Sequence, residues 1–177
     1  SSSSRNDSRR ISTLITLRPI NSLQNAESEK ETEMEKLNVS KTCHILNRIM
    51  EYELAGVVRY THYSLMVTGP YRLPIVEFME GQASESLEHA RKAGEIITGL
   101  DQHPEQSIAP ISETHDHAIY SILQESLEHE LEALALYKDL LNVVDNSSIY
   151  IEEYARTMIG QEERHVMDLR KMLRDFS

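Results

Sequence analysis

The stretch IEEYARTMIGQEERHVMDLRKML, residues 151–173, puts Ile151, Ala155, Met158, Ile159, Leu169, Met172 and Leu173 on one stripe at helical spacing. In the middle of that stripe stand a carboxylate and an imidazole, Glu162 and His165. Three residues apart, they share one face of the predicted helix. An apolar face that breaks at its centre for two polar ligand-type residues is the pattern from which the rest of the chain is read.

Three more stripes of the same kind lie upstream. The first covers about residues 40–67, with Leu46, Ile49, Met50, Glu53, Val57, Tyr60 and Ser64, and ends at Thr68-Gly69-Pro70, where Pro70 cannot continue a helix. The second accepts Pro74 in its first turn and carries Ile75, Phe78, Met79, Gln82, Ser86, His89, Ala93, Ile96, Ile97 and Leu100. The third, for which Ser112 is the expected cap, carries Ile119, Ile122, Leu123, Leu127, Glu130, Ala133, Leu134, Tyr137, Leu141 and Val144. Each predicted helix is roughly 40 Å long at about 1.5 Å per residue. The pattern predicts an all-α, antiparallel four-helix bundle. The breaks between helices one and two and between three and four are short, so those pairs are expected to be antiparallel neighbours. The segment 101–112 can reach about one bundle length when extended, which suits a long crossover between helices two and three.

Composition narrows the classes. Six Gly and five Pro are too few for an all-β chain with many turns. Lys and Arg total 18 against 29 Asp and Glu, a net charge of −11, which argues against a nucleic-acid partner and suits either a protein that attracts cations or an acidic surface that only confers solubility. Cys43 is the single cysteine, so an intrachain disulfide is excluded and a reducing, intracellular compartment is expected. Residues 1–37 read as a separate leader, before a bundle over 38–177. Ser1 to Ser4, Arg5, Arg9, Arg10 and Arg18, with Asp7 the only acid before Glu27, resemble an address for an organellar matrix, plastid or mitochondrion. The plainer reading is a disordered tail on a cytoplasmic protein.

Glu53, His89, Glu130, Glu162 and His165 each replace an apolar residue near the middle of an inward face. Taken singly, each has a plain explanation, a satisfied core histidine or a surface glutamate out of phase. Together, three acids and two histidines meeting from four helices repel one another unless a cation joins them, because an unpaired buried carboxylate costs several kcal/mol. Glutamate oxygen with neutral imidazole suits iron or manganese and also takes zinc. Tyr60 and Tyr137 follow Glu53 and Glu130 by seven residues; Tyr60 is the candidate redox residue beside the metal, and Tyr137 a core aromatic whose hydroxyl needs a buried partner. His62 and His129 fall off the inner stripes, and His103, His115 and His117 read as solvated residues in or beside the crossover. The pentapeptide ESLEH occurs at Glu85–His89 and again at Glu125–His129, in what reads as different phases of the two stripes, and is taken as coincidence.

Over residues 40–175 the chain resembles the bacterioferritins, within the ferritin-like di-iron carboxylate proteins. Glu53-Leu54-Ala55-Gly56-Val57-Val58-Arg59-Tyr60 is similar to their first helix and Leu87-Glu88-His89-Ala90 to their second. Glu130 with Tyr137 resembles the third, and Glu162-Glu163-Arg164-His165 the fourth. The resemblance implies a di-iron ferroxidase centre that oxidises Fe(II) with oxygen or peroxide, for iron storage or detoxification. Glu53 and His89 would hold one iron, Glu130 and His165 the other, and Glu162 would bridge them. Three departures qualify it. Ser86 stands where the family has a second bridging Glu, and Glu85 substitutes only if the helix is locally distorted. Leu87 replaces the methionine of haem-binding members, so no haem is expected. Twelve residues follow His165, too few for the fifth helix of cage-forming relatives, so a homo-oligomer of dimer size or larger is expected in place of an assured 24-subunit shell. The competing reading is a ferritin-like structural subunit of a larger complex with a degenerate metal site. A di-iron or di-manganese oxidase of an organic substrate is the third.

Overall fold

The computed structural model describes residues 37–174, in which four helices form an all-α bundle. They are α1 (Val39–Met66), α2 (Arg72–Gly99), α3 (Ile119–Val144) and α4 (Ile149–Leu173). The leader expected over residues 1–37 lies outside the described residues except for Leu37, which is buried in the core. No helix among the described residues is long and apolar enough to cross a membrane.

Helix ends follow local chemistry. The Asn38 side chain accepts from the Lys41 backbone N–H at 3.0 Å and starts α1. Gly69, at φ 92°, turns the chain between α1 and α2. Ser148 caps α4, with Glu152 in its first turn and Arg170 and Lys171 in its last, each charge facing the helix-dipole end that favours it. The expectation for α3 needs correction. Ser112 caps nothing; the helix begins at Ile119, and Asp116 prepares it by accepting from Ala118 N at 3.1 Å and from Ser121 Oγ at 2.7 Å. This aspartate turn holds the backbone out of the helix for several residues beyond Ser112.

Two apolar layers fix the helix directions. One contains Leu46, Ile49, Ala93, Ile97, Leu140, Val144, Ala155 and Met158; the other contains Tyr63, Val67, Ile75, Met79, Ile122, Leu123 and Leu169. Helices α1 and α4 run from the first layer to the second, and α2 and α3 run back. Because α2 and α3 share a direction, the segment between them must travel the whole length of the bundle. It does so along α1: Glu105 N donates to Asn47 Oδ1 at 2.9 Å, and Ala109 N donates to the Glu51 carbonyl at 3.0 Å. Each fully buried Leu or Ile in these layers contributes about 1.5–3 kcal/mol of transfer free energy. Between the layers lies a belt of polar side chains.

Candidate metal centre

The belt gathers all five ligand-type residues singled out in the sequence. Glu53, His89, Glu130, Glu162 and His165 are each at most 7% exposed. They fall into two groups of three whose oxygen and nitrogen atoms lie within 4.8 Å of one another: Glu53, His89 and Glu162, and Glu130, Glu162 and His165. Glu162 belongs to both. Its Oε1 is 3.3 Å from His89 Nδ1 and its Oε2 is 3.4 Å from His165 Nδ1. Each imidazole faces a second acid through the same nitrogen, His89 Nδ1 to Glu53 at 3.2 Å and His165 Nδ1 to Glu130 at 3.3 Å. The two tyrosines cross between the halves. Tyr137 Oη donates to Glu53 at 2.7 Å, and Tyr60 Oη donates to Glu130.

The electrostatics are those of acids short of positive charge. Burial pushes the Glu130 carboxyl up, and the neighbouring Glu162 carboxylate adds to this against donation from His165. Burial also opposes ionisation of Glu162, but the nearby His165 and His89 imidazoles hold it below its ordinary value. Burial pulls both histidines down, yet the carboxylates overcome it: Glu162 and Glu53 raise His89 to about 9, and Glu130 and Glu162 raise His165 to about 10. Without a metal, the imidazolium protons are the cations of this site. Tyr60 and Tyr137 are pushed well above the usual phenol value, burial first and the neighbouring acids next.

The donor set fits metal on two observations. Glu162 Oε1 is buried and makes no hydrogen bond, since His89 is near enough but poorly aligned. The oxygen–nitrogen separations of 3.2–3.4 Å are also those of ligands sharing one ion. Two donors about 2.0–2.2 Å from a metal lie roughly 3.0–3.4 Å apart at octahedral to tetrahedral angles. The narrow gap at their centre, too tight for a free water molecule, is lined by these five residues with Gln82, Glu85 and Ser86.

Glu85 reaches the site by an unexpected route. The α2 helix is continuous, yet the Glu85 carboxylate meets His165 on its other nitrogen, Nε2, at 3.2 Å, and accepts from Gln82 Nε2 at 3.1 Å. It belongs to neither three-residue group and sits behind the imidazole, the position of a residue that orients a ligand. Ser86 is buried but carries no charge to the centre.

One expectation about the histidines, that for His129, is overturned. His129 is buried, stacked on Tyr52 with ring centroids 4.4 Å apart and edge-on to Tyr60 at 5.7 Å. Both of its ring nitrogens lack a hydrogen bond, and burial lowers its pKa to about 4. The signal for it was the ESLEH repeat, whose copies do share a phase: Ser86 and His89, like Ser126 and His129, all face inward. His117, on the crossover itself, is half-buried and meets His62 of α1. His62 lies off the inner stripe of α1, as expected, and is partly exposed where the crossover passes it.

Four helices that hold acids and imidazoles between apolar layers define a ferritin-like carboxylate bundle. The ferritin-like domain family matches residues 43–177, and the chain belongs to that family. No curated protein matches the sequence. Among solved structures, a ferritin-like di-iron carboxylate protein from Bacillus anthracis is 23% identical, covering 76% of this chain and 96% of its own, with a TM-score of 0.72. The bacterioferritin-related protein of Bacteroides fragilis, described as a dodecameric thioferritin, is 21% identical over 85% of this chain and 94% of its own, with a TM-score of 0.77. Rhodobacter capsulatus bacterioferritin is 23% identical over 77% and 86%, with a TM-score of 0.70. At these identities the likeness is one of fold.

Proposed function

We propose that this chain binds Fe(II) at the buried centre and oxidises it. Glu53 and His89 would hold one ion, Glu130 and His165 the other, and Glu162 would be shared between them. The observation that carries this reading is the placing of Glu162, whose two oxygens address separate histidines while Oε1 is left without a hydrogen bond. Two ferrous ions held together deliver two electrons at once to dioxygen or peroxide. The protein's part is to bind and orient: Tyr137 fixes Glu53, Tyr60 fixes Glu130, and Glu85 sets the ring of His165. Tyr60 also holds a phenol proton at Oη against Glu130, where a redox-active side chain would need its acceptor. The apolar layers above and below keep water from the acids.

Aerobic addition of Fe(II) should give ferric absorbance at a rate abolished by Glu130→Ala and by His165→Ala, and slowed by Tyr60→Phe. Unchanged rates in both ligand variants would refute the proposal. Manganese or zinc in place of iron would appear in metal analysis of the purified protein.

Ser86 supports a second reading, a structural subunit of a larger complex. It leaves one Glu as the only acid shared by the two groups. A folded chain that stays metal-free after growth in iron-rich medium would favour that role, and two irons per chain the oxidase. In either case the fold is one whose Bacteroides fragilis relative is dodecameric, and we propose a homo-oligomer here.

A further inference from the structure

A second cluster of ligand-type side chains lies away from the buried centre, where the crossover runs past α1. His62 projects from α1, and Glu113 and His117 come from the crossover. The two imidazoles meet through Nε2 at 3.3 Å. His62 Nε2 is 3.1 Å from Glu113 Oε2, and His117 Nε2 is 3.8 Å from Glu113 Oε1. The three side chains are 38%, 43% and 24% exposed, so the cluster is open to solvent. None of them touches the acids of the buried centre in any hydrogen bond or ion pair described above.

The local backbone is built to hold this arrangement. His115 takes a positive φ of 57°, a conformation that reverses the chain and brings Glu113 and His117 to one side. The His115 N–H donates to Glu113 Oε1 at 2.8 Å, and Asp116 fixes the next turn through Ala118 N. Donation from the His115 backbone, followed by the nearby histidines, holds the Glu113 carboxyl below its ordinary value, so it is an ionised donor at neutral pH. His62 needs no such help, because it stands on a rigid helix.

We propose that His62, Glu113 and His117 form a second metal site that takes one divalent transition ion, with its remaining positions open to water. Two nitrogens at about 2.0–2.1 Å from a tetrahedral ion lie roughly 3.3–3.4 Å apart, and the imidazoles already stand at that separation. A plain ring–ring hydrogen bond satisfies only one nitrogen's proton and makes no use of the Glu113 carboxylate, which stands 3.1 Å from His62 Nε2. Two imidazoles with one carboxylate suit zinc, and also ferrous iron, which accepts this ligand trio with open positions. An ion here would join the crossover to α1, adding to the backbone contacts at Glu105 and Ala109.

The test uses the full-length, metal-free chain and Co2+ as an absorbing probe. Equilibrium dialysis counts the ions bound, and visible absorbance reports a nitrogen-and-oxygen site of low coordination. His62→Ala and His117→Ala should each lose one Co2+ per chain, with helical content by circular dichroism unchanged because both residues are partly exposed. Glu130→Ala with His165→Ala should lose buried-centre ions and keep this one, so failure here and failure of the iron oxidation proposal are separable. Hydrogen exchange gives a second reading: Zn2+ should slow exchange of amides 105–118 in the parent chain and not in His62→Ala. A Co2+ count and an exchange pattern identical in parent, His62→Ala and His117→Ala would overturn the site.

Discussion

Replacing Gly56 by Ala should destabilise the bundle, against the usual direction for a glycine inside a helix. A Cβ on Gly56 would lie 2.8 Å from both His129 Nε2 and Ser86 Oγ, and 3.4 Å from Ser86 Cβ. Ser86 Oγ can rotate away, but the His129 ring is held between the Tyr52 face and the Tyr60 edge. Relieving the contact to an ordinary 3.4 Å or more moves a packed ring by about 0.6 Å, and overpacking of that kind costs about 1–3 kcal/mol. The alanine gains about 1 kcal/mol of helix propensity. The net is a loss of up to about 2 kcal/mol. Gly81 and Gly160 are internal controls, because a Cβ on either meets nothing within 4 Å. Their alanine variants should gain about 0.5–1 kcal/mol. Urea unfolding of the metal-free proteins measures all three, read as midpoint shifts at constant slope. Adding His129→Ala to Gly56→Ala should recover part of the loss, as expected of residues in contact. If Gly56→Ala proves as stabilising as Gly160→Ala, the close approach of His129 to α1 is wrong.

Two further expectations concern pH. The metal-free bundle should lose stability as pH rises from about 6.5, the unfolded histidine value, through about 9 and about 10, the folded values of His89 and His165. A raised folded pKa contributes its full stabilisation below the unfolded value and none above the folded one; a parent chain whose urea midpoint falls no more steeply than that of His165→Gln over this range would contradict it. His129 acts on the acid side with the opposite sign: the unfolded state takes a proton near 6.5 that the folded state refuses until about 4. The parent should therefore weaken between those values, and His129→Phe, which keeps the stack on Tyr52, should flatten that limb.

Most of the fold was legible because helical period and burial describe the same geometry. Each inward position of α1 to α4 recurs on its stripe, so a polar residue at the stripe's centre is visible as a defect. That is how Glu53, His89, Glu130, Glu162 and His165 were found. Residues whose burial depends on another segment were not legible in this way. The contact of the crossover with His62 is another case, because that segment is irregular and has no period to extrapolate. The start of α3 was misplaced because Asp116, and not the earlier Ser112, supplies the turn. His129 was missed although its pentapeptide is repeated. Its burial is made by small Gly56 on another helix, and spacing within α3 says nothing of what faces it.

The two halves of the centre expose what Ser86 changes. His165 follows Glu162 by three residues on α4, and His89 follows Ser86 by three on α2, so the same turn of helix carries an acid in one half and a hydroxyl in the other. The tyrosines retain the symmetry, Tyr137 on Glu53 and Tyr60 on Glu130. Charge does not. Three buried acids face two imidazoles, and one of those acids is shared by both, so the half built on α1 and α2 depends on Glu162 for its second carboxylate. What stands against the same point of α1 as Ser86 is the His129 ring, neutral and without hydrogen bonds. A fourth acid there would raise the repulsion that His89 and His165 now balance in the absence of metal. A serine avoids that repulsion, which should leave the metal-free protein more stable than a Ser86→Glu variant and a second ion less strongly attracted. Serine thus favours a bundle that stays folded when empty, and an ion at Glu53 and His89 would bind with one acid fewer than a Glu at position 86 would supply.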